Sequence, residues 1–541
     1  DAVTKSGTNE FHGSVYGTYR DGDWFGDDPE GNPFNGFSKE ENYGFTLGGP
    51  LVKDRLFFFA NYDKFKQEAP GADIAGSALG KANPTIDMAD IAEAQSIATG
   101  YGIDAGGLDS DGNTDLEEYA LKLDWNINDA HRASLRYSKL EQDKLRINGV
   151  NSSQISLSSY WYQQPKEVES YVAQLFSDWT DTFSTEFKAS YRDYSAIRET
   201  PTTAPSVRVY FGNGTTLTGD SLFLGTEVNS QQNALYTTTY NYFGAATWTL
   251  GDHDLKFGFD YSTNEIYNIY GPQLYGVYEF ASMDAFRAGR YTTYNLRTPQ
   301  PGQGFDSVAA DYEYDNLGLF IQDQWFVSPN LTLTFGLRAD KPSVDSKPAF
   351  NAGAAAAFGY DNSDVLSEEF LIQPRFGFNY TFDTERPTQL RGGLGLFQGD
   401  SPQVWLSNAY NTTGFNYIQY TLNAYNPLVP FSPDGLAQNV PTATGSQIQN
   451  VNFIAPDFKQ PSVWKADLAF DHELPYYGLV ASAELLVTEV KEALFYQNLN
   501  LGSATQFGQD GREIYYRPNA AWTTANNRFN RNPAFCGVYF L

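Results

Sequence analysis

Short and long connections alternate along this chain without exception, and few folds tolerate such an arrangement. Short polar turns fall near Val52–Arg55, Asn128–His131, Asp181–Ser184, Gly251–Asp254, Val327–Asn330, Asp383–Thr388 and Leu474–Gly478. Between them lie Asp21–Glu41, Lys66–Asp115, Asp143–Lys166, Ile197–Gln232, Asn268–Asp311, Lys341–Ile372 and Gly399–Gln460. In an up-and-down barrel every odd connection lies at one rim and every even one at the other, so the two faces of a membrane receive two classes of loop. A soluble sandwich or propeller has no reason to gather its long loops at one end, and long irregular loops are uncommon in compact domains.

The segments between the turns have the right period. Leu331, Leu333, Phe335, Leu337 and Ala339 alternate with Thr332, Thr334, Gly336, Arg338 and Asp340, and Leu255, Phe257, Phe259 and Tyr261 alternate with Lys256, Gly258 and Asp260. The rule slips at Asp323, which falls on the apolar face of its segment. Most segments run about ten to fourteen residues, longer than the usual globular strand and long enough to cross a bilayer at a tilt. Trp125, Trp179, Trp248 and Trp325 stand just before short turns, where an amphipathic ring sits among headgroups. About fifteen strands are expected, one from Phe11 to Arg20 and then seven hairpins; Gly537–Leu541 reads as the entry to a sixteenth, with more barrel to follow. The fold class is an all-β, antiparallel, transmembrane up-and-down barrel with long extracellular loops and short periplasmic turns.

Composition agrees. No run of about 18 apolar residues is present to make a membrane helix, and a mean hydropathy of −0.45 suits strands that show only every second residue to lipid. A net charge of −29 argues against nucleic acid as a partner. That acidity is expected in the external loops, facing divalent cations shared with lipopolysaccharide phosphates. Cys536 is the single cysteine, so no disulfide closes within the chain.

VTKSGTNEFHGSVYGTYRD (Val3–Asp21) resembles the plug-to-barrel junction of TonB-dependent outer-membrane receptors of the Oar-like branch. NYGFTLGGPLVKDRLFFFANYD (Asn42–Asp63), LKLDWNINDAHRASLRY (Leu121–Tyr137) and LGLFIQDQWFVSPNLTLTFGLRAD (Leu317–Asp340) are similar to the hairpins of that family. The resemblance implies a linker at residues 1–10 carrying Thr4, Lys5, Ser6, Gly7, Thr8 and Asn9, a barrel domain over 11–541, and a plug expected upstream. It also implies a 22-strand family barrel and a TonB–ExbB–ExbD energy-transducing partner reached through the segment before Asp1. Apart from the resemblance, the linker residues are small, hydrogen-bonding or permissive, as an irregular crossing to a barrel wall requires. Gly13 and Gly17 are expected to let backbone approach closely inside the lumen.

Enzyme chemistry finds no foothold. His12, His131, His253 and His472 form no ligand spacing. GGLGLFQG (Gly392–Gly399) misses the dinucleotide pattern and reads as small lumen-facing residues, and neither a nucleophile elbow nor a Walker loop occurs. No cofactor is expected beyond a candidate calcium loop, where Asp109, Asp111, Asn113 and Asp115 sit at alternate positions but Ala120 stands where an EF-hand needs a bidentate Glu. Ile91, Ala94, Ile97 and Ala98 share a helical face, with Thr85 as the expected cap. Tyr and Asn are dense in the outer loops, and Tyr270, Tyr275, Trp405, Tyr410 and Tyr417 are the candidate aromatics for holding a large nutrient, saccharide, peptide or protein. The expected function is a TonB-dependent outer-membrane transporter of a Gram-negative bacterium. The alternative is a scaffold barrel that anchors surface proteins or lipoproteins and moves nothing.

Overall fold

The computed structural model describes residues 5–541 apart from 28, 30, 32, 33, 35, 69–85, 109–112, 443–448, 502–503, 516–531, 533 and 534. Fifteen strands form one continuous antiparallel wall in chain order, with the short strand Tyr162–Gln163 paired to one side. They are β1 His12–Asp21, β2 Lys39–Val52, β3 Leu56–Glu68, β4 Asn113–Asn128, β5 His131–Arg146, β6 Lys166–Thr180, β7 Phe183–Ile197 and β8 Asn233–Leu250. The remainder are β9 His253–Tyr270, β10 Ala310–Ser328, β11 Leu331–Val344, β12 Leu371–Thr381, β13 Thr388–Gln398, β14 Ser462–Glu473 and β15 Val480–Glu492.

Because directly opposed residues share a face, the register sorts every wall residue as outward or luminal. Phe45, Tyr62 and Tyr119 follow one another across β2, β3 and β4, as Trp248, Leu255 and Asp323 do across β8, β9 and β10. The outward face is apolar between two aromatic belts. Trp125, Trp179, Trp248 and Trp325 are all exposed at the periplasmic end. At the other end, Tyr137, Tyr171, Tyr191 and Tyr240 run ring to ring across four neighbouring strands, with centroids 4.9, 6.1 and 5.3 Å apart. Trp248 and Tyr240 on β8 are eight residues apart, about 27 Å of extended chain. Tilted as barrel strands are, that length matches the apolar band of an outer membrane. Asp323, the exception in the pattern, faces outward in the Trp belt and meets His253 Nδ1 at 2.9 Å, beside the ring of Trp325.

The luminal face is polar and internally paired. On β11, Arg338 donates two hydrogen bonds of 2.7 Å to Asp340, which also accepts from Asn316 and Gln373. Two expectations about small residues divide here. Gly393 and Gly395 pair with Asp467 and Lys465 on the luminal side, whereas Gly392 pairs with Leu468 on the outward side. Gly13 and Gly17 likewise stand opposite Leu47 and Tyr43 on the outward face, so they do not serve close approach in the lumen. Gly44 does: a Cβ there would lie 2.5 Å from the Tyr16 hydroxyl.

The long connections fold on their own account. Six short strands from four of them, Ile418–Leu422, Thr293–Thr298, Val277–Phe280, Ser206–Tyr210, Ser221–Leu224 and Gln154–Ser156, pair in that order into a mixed sheet. Its apolar face, with Val207, Leu222, Tyr278, Phe280 and Tyr294, packs on helix α1 (Met88–Gly100) and helix α2 (Met283–Arg287). In α1 the buried residues are Ile91, Ala94, Ile97 and Ala98, the face read from the sequence. Its cap is Asp87, which accepts from Ala89 N and Asp90 N; Thr85 lies outside the described residues. The cap sheet therefore has a soluble-type core, whereas the wall buries apolar side chains only where its strand ends meet the long connections, as at Ile266, Tyr312 and Tyr314.

The last strand departs from expectation. Phe535–Phe540 joins no wall strand but runs parallel to Gln449–Phe453 on the extracellular side. The reason is burial, because Val538, Phe535, Val451 and Phe453 form one apolar cluster with Phe358 of helix α3 (Ala352–Phe358). The Cys536 side chain lies outside the described residues.

Candidate functional site

The connection after β13 turns inward before it rises. Gly399–Pro402 leads into helix α4 (Gln403–Asn411), which is fastened to the wall by two tyrosines. Tyr312 and Tyr410 stack at 4.5 Å with ring planes 4° apart; the Tyr312 hydroxyl donates to Gln403 O, and the Tyr410 hydroxyl donates to Ser346 O. Burial pushes the Tyr312 phenol up to about 12, so this anchor is neutral and donating at any physiological pH.

Between α4 and the luminal face lies a chamber of about 810 Å³. The wall contributes Arg192, Thr239, Asn264, Asn316 and, at the end of β13, Gln398, while the incoming connection contributes Asp400 and Trp405. Thr239 links two of these groups. Its hydroxyl donates to Asn264 Oδ1 at 2.9 Å and accepts from Arg192 at 3.5 Å. Among the described residues neither Arg192 nor Asp400 has an ion-pair partner. The volume falls in the range of small-molecule sites rather than of whole-protein docking surfaces.

The candidate aromatics take different places. Trp405 lines the chamber, while Tyr410, on the same helix, is the wall anchor. Tyr270 donates to Asn229 Oδ1 at 2.8 Å, and Tyr417, next to the cap strand Ile418–Leu422, carries the guanidinium of Arg297 from the adjoining strand 4.3 Å above its ring. Tyr275 is 5% exposed among Ile269, Leu274 and Val308 and accepts from Gln232, so it presents no surface to a ligand. Arg192, Asn264, Asn316 and Gln398 were not singled out from the sequence. Period two puts the first three on the wet face, but only the register shows that three wall strands and the intervening Thr239 bring them to nearly one level, and only the folded chain adds Gln398 to them.

The linker is described from Lys5. Asn9 clasps the first periplasmic turn, its Oδ1 accepting from Asp54 N at 2.8 Å and its Nδ2 donating to the Asp54 carboxylate at 2.5 Å. Ser6 accepts from the luminal Lys122 at 2.7 Å. A Cβ on Gly7 would lie 2.2 Å from Phe58 O, so only glycine passes the wall at that point. Lys5, Ser6, Gly7 and Thr8 line a second cavity of about 320 Å³ against β1–β3; Thr4 lies outside the described residues. Of the candidate calcium ligands, Asp109 and Asp111 also lie outside them, and Asn113 and Asp115 stand on the outward face where β4 begins. No group of three or more His, Cys, Asp or Glu able to hold a metal occurs among the described residues.

An antiparallel wall with apolar outside, polar inside, two aromatic belts and one capped end defines an outer-membrane β-barrel. The chain belongs to the family described as outer membrane beta barrel domain, whose model matches residues 3–90 and 89–534. A stretch of 69 residues, 12% of this chain and 6% of the relative, is 44% identical to the TonB-dependent transporter Oar of Myxococcus xanthus. Among solved structures, the outer membrane transporter YddB of Escherichia coli matches with a TM-score of 0.56 at 12% identity, over 89% of this chain and 52% of that one. The ferric enterobactin receptor PfeA of Pseudomonas aeruginosa matches with a TM-score of 0.52 at 12% identity, over 99% and 58%. The siderophore receptor PirA of Acinetobacter baumannii gives 0.51 at 14% identity, over 94% and 57%. At those identities the likeness is one of fold, and the chain spans little more than half of each receptor. The protein is placed in the outer membrane of a Gram-negative bacterium, and the relatives are named transporters and receptors rather than enzymes.

Proposed function

We propose that this chain is the barrel of a TonB-dependent transporter that takes a solute from outside into the chamber beneath the cap and releases it to the periplasm with energy from the TonB–ExbB–ExbD complex. The observation that carries the reading is the chamber itself: a luminal, small-molecule-sized space lined by both charged and apolar side chains, in a barrel whose extracellular connections pack a core of their own. A channel for free diffusion has no use for such a closure. The test is uptake by cells producing the full-length protein, with and without the energy-transducing partner. Loss of uptake without the partner is expected; unchanged uptake overturns the reading. If purified complexes instead hold a surface lipoprotein or another surface protein on the cap, and uptake is absent in both strains, the scaffold reading replaces it.

The same proposal extends to the lipid headgroups. Just beyond the Tyr belt the outward face carries Glu117, Glu141, Glu167, Glu265 and Glu313, several directly opposed across neighbouring strands. Lys64 and Lys139 reach Glu117, Glu141 and Glu167, leaving the collar acidic. Like charges directly opposed are unfavourable, and divalent cations shared with lipopolysaccharide phosphates relieve them. Chelation is expected to loosen these strand ends in proteolysis of intact cells, and unchanged protection counts against the contact.

A further inference from the structure

The lining of the chamber points to a class of ligand. Two of its charges, the Arg192 guanidinium and the Asp400 carboxylate, are opposite in sign, exposed to the chamber and without ion-pair partners among the described residues. A second element is apolar: Trp405, Val404 and Leu494 lie along the same space.

We infer that the chamber binds short peptides with free termini, a deepening that rests on the transporter reading for its route but not for its chemistry. Arg192 takes the terminal carboxylate, for which its planar fork is suited, and Asp400 takes the terminal ammonium. Trp405 with its apolar neighbours covers a side chain. A neutral oligosaccharide stacks on the indole but strips water from both charges and returns none. An acidic oligosaccharide satisfies Arg192 and sets a like charge against Asp400. Only a zwitterion balances both, because a charge covered without a partner is costly.

The test uses full-length protein purified in detergent and calorimetric titration. The probes are a pool of tri- to pentapeptides with free termini, the same peptides acetylated and amidated, a neutral glucan oligosaccharide and a uronate oligosaccharide. Free peptides are expected to bind at least tenfold more tightly than blocked ones. Arg192→Gln should weaken free peptides about tenfold yet leave C-amidated peptides unchanged, and Asp400→Asn should do the same with respect to N-acetylated ones. Arg192→Lys should recover part of the loss, and migration of the unheated protein on gels checks that each barrel is folded. Equal binding of blocked and free peptides, tighter binding of either oligosaccharide, or no peptide binding by folded protein overturns the inference. Binding is measured without TonB, so peptide binding with partner-independent uptake refutes transport alone, and partner-dependent uptake without peptide binding refutes the ligand class alone.

Discussion

The wall and the cap of this molecule obey opposite rules. In the wall, bulky apolar side chains are exposed and polar ones face inward: Ile321 is 51% and Leu337 47% accessible, while Asp340 is 3%. In the cap apolar residues are the buried ones, with Tyr278, Phe280, Tyr294 and Leu222 at 0%. One chain thus holds a region organised by lipid and a region organised by water. The wall draws its cohesion from backbone ladders that lipid cannot compete for, whereas the cap draws its own from apolar burial. The two should therefore fail separately.

The sharpest way to break the comparison is to empty the core of the cap. Phe280→Ala removes a fully buried ring between Tyr278, Phe286 and Phe431, at a cost of about 3–5 kcal/mol. The outer connections are expected to become cleavable by added protease in intact cells, while the barrel keeps its heat-modifiable migration on gels. If the barrel is lost along with the cap, the two regions form one cooperative unit. The matching change in the wall is Leu337→Arg, at an outward position midway between the belts. It should cost roughly 2–4 kcal/mol in urea titrations of protein folded into vesicles. Thr334→Arg on the luminal face of the same strand should cost far less, and equal costs would mean that lipid does not touch this face.

How much of this was legible in the sequence follows the same division. Wall strands are local objects: alternation in Leu331–Ala339 or Leu255–Tyr261 names the strand, its faces and its neighbours at once, because hairpins pair in chain order. The cap is not local. Ser206–Tyr210 pairs in parallel with Val277–Phe280, and Ser221–Leu224 in parallel with Gln154–Ser156, so each of these strands takes a partner from another connection. Four- and five-residue runs such as Ser221–Leu224 carry too little period to announce themselves. The chamber falls between these cases. Trp405 stands out as an aromatic in a polar loop, whereas Arg192 and Asn316 resemble many other luminal residues until the fold sets them around one space. Gly13 and Gly17 show the converse error, for a small residue suggests close approach, but its face was set by pairing with Leu47 and Tyr43.

Alkaline titration separates the two regions without mutation. Burial pushes the Tyr278 phenol up to about 12, and pushes Tyr294, stacked on it at 4.2 Å, in the same direction. The native form of each is the neutral phenol, while an unfolded tyrosine ionises near 10. The stability this contributes is thus complete below pH 10 and is lost as the pH rises toward 12, by an amount on the order of 2 kcal/mol for Tyr278. The cap should open across that interval, seen as a late phase of tyrosinate absorbance with new protease sites, and Tyr278→Phe should remove part of the late phase. Absorbance rising in one step near pH 10 would mean that the cap core is open to water.

The smallest effect tests how the cap is assembled. Helix α1 is entered through a reciprocal box, in which Asp87 accepts from Ala89 N at 2.8 Å and Asp90 N at 3.0 Å while Asp90 accepts from Asp87 N at 2.9 Å. These bonds satisfy donors that the first turn of a helix leaves free, and they place two carboxylates at its positive end. Asp87→Ala should cost about 1 kcal/mol, read as a modest rise in amide exchange of α1. Because α1 supplies Ile91 and Ile97 to the same core as Phe280, the rise should spread to Val207–Val209 and Leu222–Leu224 but not to β10 or β11. Exchange confined to α1 would show that the helix only rests on the sheet, and exchange reaching the wall strands would erase the boundary between the region ordered by water and the region ordered by lipid.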